Sequence, residues 1–281
     1  MFAITGASGK LGRAVSAELL RQTRAANLRL GSRTPEQLDP LAKAGARVTH
    51  TDFDDAESLA RLFDGAAAAL VISGDAANEP RIRQHETAFH AARRAGVGRI
   101  VYTSFANAVP ESLFLVAPSH VASEAMLVAL GVPYTILRNN LYAENIMVEA
   151  ARTSALLVQP HSHGRAAYIA YADVARATVG AILGTGHENR CYEITGPEAL
   201  SHYDIADRLS RSWGRTITVQ DVSPAEYVDH LLQRGLPTFL VDLLASLHAA
   251  AGAGEYARVS ADAADLAGGR VDSASAFLAS V

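Results

Sequence analysis

Three glycines near the amino terminus have the spacing that brings a peptide backbone close to a phosphate group. Gly6, Gly9 and Gly12 form the pattern G-x-x-G-x-x-G. They lie between the strand-like run 2–5 and an amphipathic helical stretch that begins at Lys10. Backbone N–H groups at a helix start, at the positive end of its dipole, bind pyrophosphate. A purely structural turn is the alternative, but the position at the start of a β-α-β pattern predicts dinucleotide binding.

Side chains beside this turn predict which dinucleotide binds. Ser8 offers a hydroxyl, Lys10 adds a cation, and Leu11 belongs to the same predicted binding segment. The second strand ends in Gly-Ser-Arg-Thr at 31–34, without the carboxylate that holds the ribose of NAD. The guanidinium of Arg33 suits a 2′-phosphate instead, so NADPH is the predicted cofactor. A solvated loop arginine is the alternative.

Composition limits the classes of partner. The chain has 281 residues and a formal charge of −4, so it offers no basic field for nucleic acid. A single cysteine, Cys191, excludes an internal disulfide and suits a reducing compartment. No leader is apparent, and the longest apolar run, 66–73, is too short for a membrane span. We therefore expect a soluble cytoplasmic protein, with a homodimer left open.

Short apolar runs alternate with amphipathic stretches through the first half of the chain. Strand-like runs lie at 2–5, 27–31, 47–50, 68–73, 99–103 and 134–137, with helical segments near 10–22, 35–44, 55–64, 79–95 and 119–130. This alternation requires parallel pairing through crossover helices. It predicts an α/β fold, a doubly wound parallel sheet of Rossmann type with a smaller, mostly helical second lobe.

The alternation weakens after residue 140, where 141–165 is predicted to be loop and short helix. We expect a dinucleotide-binding domain at 1–140 and a substrate lobe at 141–281, with residues near 166–196 returning to the main sheet. His161 and His163 have a metal-like spacing, but no cysteine or acidic cluster supports them, so no metal is predicted. Two basic runs are expected to lie on the solvated face of one helix: Arg81 and Arg83, then Arg93 and Arg94.

With these residues placed, the chain resembles a family. The stretches "ITGASGKLG", "QHETAFHAARRAGVGRIVYTS", "HVASEAML", "GVPYTILRNNLYAEN", "YADVARATVGAIL" and "YEITGPEALS" follow in family order over about the first 210 residues. They are similar to the NmrA-like branch of the atypical short-chain dehydrogenases. Within that branch they are most similar to the bacterial type 2 NAD(P)H:quinone oxidoreductases.

The resemblance implies further site residues at the ends of the predicted strands. Asp52 and Phe53 would flank the adenine, and Ser73 and Gly74 would lie along the ribose. The nicotinamide would be surrounded by residues that end the fifth and sixth strands, namely Thr103, Ser104, Phe105 and the segment 138–142, which includes Asn139 and Tyr142. The chain departs from the family pattern at 140–141, where Asn-Leu replaces Gly-Trp.

The proton-donating Tyr-x-x-x-Lys pair of the short-chain dehydrogenases is replaced here by His120 and Glu124. Their i, i+4 spacing places both on one helix face. A carboxylate beside an imidazole raises its pKa, which would make His120 a proton donor near neutral pH. A purely structural hydrogen bond between the two is the alternative.

Two functions from different classes are compatible with these observations. The first is an NADPH-dependent oxidoreductase that reduces a quinone or a similar conjugated acceptor, with His120 and Tyr142 as the candidate catalytic residues. A quinone suits a weak proton relay because the hydroquinone anion is as stable as a phenolate, with a pKa on the order of 10. The second is a non-catalytic NADP(H) redox sensor, which the NmrA-like branch also contains. A third hypothesis keeps the enzyme but assigns it an imine, a dye or an enone.

Overall fold

The strands form two parallel sheets. The computed structural model describes residues 1–146, 148–269, 271–272 and 274–280. The strands are β1 (Phe2–Ile4), β2 (Leu28–Ser32), β3 (Arg47–His50), β4 (Ala68–Ile72), β5 (Arg99–Phe105), β6 (Tyr134–Asn139), β7 (Leu156–Pro160), β8 (Arg190–Ile194) and β9 (Thr218–Val222). The main sheet has the order β3-β2-β1-β4-β5-β6-β8, and β7 pairs with β9. Chain order reverses between β1 and β4, which creates the switch point where doubly wound sheets bind ligands.

Helices cover both faces of the main sheet. They are α1 (Lys10–Gln22), α2 (Asp39–Lys43), α3 (Ala56–Phe63), α4 (Asn78–Arg94), α5 (Ala117–Ala129), α6 (Val148–Ser154), α7 (Tyr171–Leu183), α8 (His202–Trp213), α9 (Pro224–Gln233), α10 (Thr238–Gly252), α11 (Asp262–Leu266) and α12 (Ala274–Ser280). Strand residues alternate between the two faces, so one core forms under α1, α7 and α11 and the other under α3, α4 and α5. The predicted doubly wound parallel sheet is confirmed.

The layer that carries the glycine turn is built from distant parts of the chain. Val15 and Leu19 of α1 share one core with Val179 of α7 and Leu266 of α11. Gly180 permits the closest of these approaches, because a Cβ there would lie 1.8 Å from the carbonyl oxygen of Leu266. The helix that follows the glycine turn therefore packs against α7, and α7 in turn packs against α11.

The second lobe lies at the carboxyl ends of the main strands and has its own core. That core includes Leu157 of β7, Leu209 of α8 and Ala250 of α10. Between these elements, β8 belongs to the main sheet and α7 packs in the core on one face of that sheet, so the lobe is not one continuous segment. In the described part of the chain, no helix has the length and apolarity needed to cross a membrane.

One element differs from the sequence analysis. Residues 156–160 form β7, within the segment expected to be loop and short helix. The strand contains only a short apolar run, and its partner β9 follows after more than fifty residues. Local periodicity carries little signal for such a pairing, because a remote strand stabilises it.

Candidate active site

The glycine turn is as tight as its spacing predicts. Gly6 has φ +60°, a left-handed conformation that favours glycine. A Cβ at Gly12 would lie 2.3 Å from the carbonyl oxygen of Gly6 and 2.7 Å from Cα of Ala7. The N–H of Gly9 donates to the carbonyl oxygen of Gly6 at 3.0 Å, and α1 begins at the next residue. The turn therefore presents the amino end of α1 at the switch point, where an anion is stabilised.

The turn is tied to the end of β2. The N–H of Ala7 donates to the carbonyl oxygen of Gly31 at 3.0 Å, and the hydroxyls of Ser8 and Ser32 share a hydrogen bond of 2.7 Å. The next residue, Arg33, is exposed. This arrangement places a cation beside the glycine turn, although Arg33 lies outside the cleft itself.

A cleft of about 550 Å³ runs from the glycine turn along the strand ends. It brings together most of the predicted site residues, namely Gly6, Gly9, Lys10, Leu11, Gly12, Ser73, Gly74, Thr103, Ser104, His120 and Tyr142. The N–H of Ser73 donates to Oγ1 of Thr103 at 3.0 Å, which joins the ends of β4 and β5. The strand ends therefore converge as the sheet topology requires.

The remaining predicted residues lie outside the lining of this cleft. Ser8 lies in the glycine turn and contacts the end of β2, and Arg33 follows β2, as described. Asp52 stabilises the loop to which it belongs, because its Oδ1 accepts a hydrogen bond from the N–H of Asp54 at 3.1 Å. The neighbouring Phe53 packs edge-on against His85. Asn139 is buried and reaches the cleft only through another side chain. Cofactor contacts of these five residues, like those of the residues that line the cleft, stay predictions.

Asn139 positions the phenol of Tyr142. Its Nδ2 donates to the Tyr142 hydroxyl at 3.1 Å, and the Tyr142 ring stacks on Tyr171 with centroids 4.3 Å apart. Burial raises the pKa of Tyr142 above its usual value, so its phenol stays neutral near pH 7. Tyr142 therefore offers a fixed, neutral hydroxyl at the cleft.

A second cavity of about 490 Å³ adjoins the cleft and is lined mainly by apolar side chains. Four residues line both spaces: Phe105, Phe114, Tyr142 and Leu243. The rest of the lining comes largely from the second lobe, with Leu157, Tyr168, Leu240, Leu244 and Leu247 among its members. A flat, apolar molecule in this cavity would meet the cleft at its aromatic end.

Glu124 does not pair with His120. Its carboxylate accepts from Ser104 Oγ at 2.6 Å and from Arg138 Nη2 at 2.6 Å. Arg138 also lies 3.5 Å from the carboxylate of Glu193. The expected imidazole–carboxylate pair is wrong because the guanidinium at the end of β6 binds the carboxylate more strongly than a neutral imidazole would.

The His120 ring turns toward Tyr102 instead. The hydroxyl of Tyr102 lies 2.9 Å from Nδ1 of His120. Burial, the positive charge of Arg81 and the neighbouring His85 lower the pKa of His120 to about 3. The expected rise in the pKa of His120 is therefore wrong in direction, and the imidazole is neutral near pH 7.

The rate of a reaction catalysed in this cleft should accordingly show no inflection near pH 6.5. A neutral His120 holds no acidic proton to donate across pH 5.5–8, and its general-acid contribution of on the order of 10²–10⁴-fold is absent. The profile of kcat/KM against pH checks this, with His120→Phe as the comparison. An inflection that vanishes in the variant, with cofactor affinity unchanged, would restore the proton-relay hypothesis.

Arg81 is a site residue that sequence reasoning missed. The basic run was expected to be solvated, and Arg83 is exposed, but Arg81 is buried at 5 % exposure and lines the cleft. It lies in the first turn of α4, the helix that follows β4, and the loop between β4 and α4 also lines the cleft. His85 lies four residues later on the same side of α4 and is also buried. This i, i+4 spacing is the signal that could have revealed the burial of Arg81.

A parallel doubly wound sheet with a glycine turn at its switch point defines a dinucleotide-binding protein. The NAD(P)H-binding family model matches residues 6–184, which is more than half of the chain. The chain therefore belongs to the NAD(P)H-binding family.

Comparison with known proteins gives nearer relatives. Quinone oxidoreductase 2 of Escherichia coli strain K12 is 34% identical over 247 residues, covering 87% of this chain and 86% of that protein. The crystal structure of the Escherichia coli NADPH-dependent quinone oxidoreductase with NADPH superposes with a TM-score of 0.94 at 32% identity, covering 100% of this chain and 99% of that chain. The predicted resemblance is confirmed.

Two further structures mark the range of the fold. The triphenylmethane reductase of Citrobacter sp., complexed with NADP(H), has a TM-score of 0.93 at 31% identity and covers 99% of both chains. NmrA, a negative transcriptional regulator, has a TM-score of 0.76 at 16% identity and covers 100% of this chain and 94% of its own. The likeness to NmrA concerns the fold alone.

Proposed function

We propose that this chain is an NADPH-dependent oxidoreductase that transfers hydride to a quinone or a similar conjugated acceptor. The observation that carries the proposal is the junction of the cleft with the apolar cavity through Phe105, Phe114 and Tyr142. A nicotinamide at the strand ends would face an acceptor ring held among these aromatic side chains. The relatives named as quinone oxidoreductases support this acceptor class.

NADPH fits the residues that are present. When bound, it supplies the hydride. The glycine turn would hold its pyrophosphate and Arg33 its 2′-phosphate. Thr103 and Ser104 would lie beside its nicotinamide end, with Tyr142 closing that side. We propose that residues 1–140, with the returning segment near 166–196, bind the cofactor, while the rest of 141–281 holds the acceptor.

A quinone suits a site whose proton donors are weak. His120 is neutral, and Tyr142 has a raised pKa. Reduction of an alkyl ketone would create an alkoxide that needs a strong, placed acid. Reduction of a quinone leaves a hydroquinone anion that takes its proton from water, and orientation of the two reactants supplies most of the acceleration.

The redox sensor is the second candidate function. A sensor needs a cofactor cleft and a partner surface, and it has no use for a cavity that opens beside the nicotinamide. The apolar cavity of about 490 Å³ therefore favours the enzyme. A dye acceptor stays within the proposal, because the triphenylmethane reductase has the same fold at 31% identity.

Arg33→Ala should weaken NADPH much more than NADH. Loss of a charge-assisted contact to the 2′-phosphate lowers affinity on the order of 10- to 150-fold. Titration of both cofactors by nucleotide fluorescence measures these affinities. Arg47→Ala is the control, because Arg47 is exposed at the start of β3, whereas Arg33 follows the end of β2. Equal losses for NADPH and NADH would show that Arg33 does not bind the phosphate.

The test of the function is the loss of NADPH absorbance with a panel of acceptors. The panel contains a benzoquinone, a naphthoquinone and a triphenylmethane dye, each run beside NADH and beside protein-free controls. Saturable, NADPH-preferring turnover with a quinone is the expected result. Tight NADPH binding without turnover of any acceptor would favour the sensor.

A further inference from the structure

The Arg81 side chain is largely buried, and its guanidinium has no hydrogen-bond acceptor among the described residues. Its side chain lines the cleft, yet within the described part of the chain no oxygen accepts a hydrogen bond from it, and no carboxylate forms an ion pair with it. The buried Nε has no partner. Asp75 acts on the guanidinium only at longer range. Every other arginine below 10 % exposure in the described residues, namely Arg29 and Arg99, has an ion pair.

A largely buried guanidinium without acceptors is energetically unfavourable unless a ligand supplies the acceptors. A guanidinium has five N–H donors, and taking part of it out of water without supplying acceptors is unfavourable. Burial lowers the pKa of Arg81 below its usual value, which reports the same cost. The cleft is therefore built to receive a negatively charged or strongly accepting oxygen at this position.

Arg81 lies on the His120 side of the cleft, which the proposed function assigns to the nicotinamide end. The charge of Arg81 lowers the pKa of both His85 and His120, and the His120 ring, near the start of α5, stacks on Phe105 with centroids 6.1 Å apart. The four residues that join the cleft to the apolar cavity line the cleft together with Arg81. The pyrophosphate cradle at Gly6–Gly12 belongs to a different element, at the start of α1.

We infer that Arg81 holds the anionic oxygen that forms on the acceptor during reduction. The inference rests on the proposed function. Hydride addition gives the quinone two electrons and one hydrogen, oxidises NADPH to NADP⁺ and leaves a hydroquinone monoanion. Arg81 stabilises the negative oxygen of that anion, which then takes one proton from water. Arg81 is thus a catalytic residue that supplies charge and donates no proton.

Arg81→Met and Arg81→Lys test this, with Arg83→Met as the matched control. Arg83 lies two residues away on the same helix, is exposed, and has only a 3.9 Å contact with Glu79. Removal of a donor to a developing oxyanion lowers kcat on the order of 100-fold. We expect that loss for Arg81→Met, an intermediate rate for Arg81→Lys, and the wild-type rate for Arg83→Met.

Two readouts apart from turnover separate the explanations. The Tm of cofactor-free Arg81→Met should equal or exceed that of the wild type, because the change removes an unpartnered charge. The Kd for NADPH should change by less than about twofold, a difference below 0.5 kcal/mol. The expected result is that Arg81→Met has a lower kcat than the wild type and a Tm that is no lower.

Other outcomes overturn the inference in distinguishable ways. A fall in Tm that accompanies the lost rate would assign Arg81 a structural role. A Kd for NADPH that rises in proportion to the lost rate would place a cofactor oxygen at Arg81. Normal turnover by Arg81→Met would reject the inference and leave the proposed function standing. Absence of quinone turnover by the wild-type chain would reject both.

Discussion

Replacing Gly12 with alanine is expected to raise the Kd for NADPH at least about 100-fold, or about 2.7 kcal/mol. The added Cβ would lie 2.3 Å from the carbonyl oxygen of Gly6 and 2.7 Å from Cα of Ala7. Both neighbours are backbone atoms, so the turn must open to admit the methyl group. An opened turn no longer aims its N–H groups at one point, and the pyrophosphate loses its cradle.

Calorimetric titration with NADPH measures this effect, and the Tm reports the accompanying strain. Overpacking of this kind destabilises by about 1–3 kcal/mol. Gly269→Ala is the matched control, because a Cβ at Gly269 would meet no atom within 4 Å. Unchanged NADPH affinity in the Gly12 variant would show that the cofactor does not depend on the geometry of this turn.

The second large effect concerns Arg138. Replacing Arg138 with methionine should destabilise the fold by about 3–5 kcal/mol, since it leaves charged partners buried without their cation. The side chains of Glu124 and Glu193 are only 11% and 17% exposed, and Arg138 is the cation that lies against both. Urea unfolding followed by circular dichroism gives the free energy of unfolding directly.

Two companion variants sharpen this measurement. Glu124→Gln combined with Arg138→Met removes one stranded charge while keeping an acceptor for Ser104, so the double variant should regain part of the lost stability. Arg211→Met breaks an exposed pair with Asp207 and should cost less than about 1 kcal/mol. A single Arg138 variant no less stable than Arg211→Met would show that the cluster contributes little.

The sequence carries most of the information needed to predict the fold, the glycine turn and the strand ends that line the cleft. Gly6, Gly9 and Gly12 mark the first turn because their conformational needs are local, and the alternation of strands and helices then dictates parallel order. Thr103, Ser104 and Tyr142, which the resemblance implies, agree with the same rule, because parallel strands end at one edge. Such predictions need only residue type, spacing and strand direction.

The partners of individual side chains depend on elements that meet only in three dimensions. The spacing of His120 and Glu124 correctly places them on one helix, but Arg138 on β6 determines which partner Glu124 takes. Arg81 and Arg83 differ by two positions in one basic run, and only the packing of α4 buries the first. The strand β7 depends in the same way on β9.

The close approach at Gly180 has a consequence for biosynthesis. The helix that presents the cofactor's anion site is covered by α7, and α7 is covered in turn by α11 near the far end of the chain. A ribosome-bound polypeptide therefore completes the glycine motif before it has synthesised α7 and α11, the helices that cover this layer. The packing around α1 is thus finished only after α11 has been synthesised.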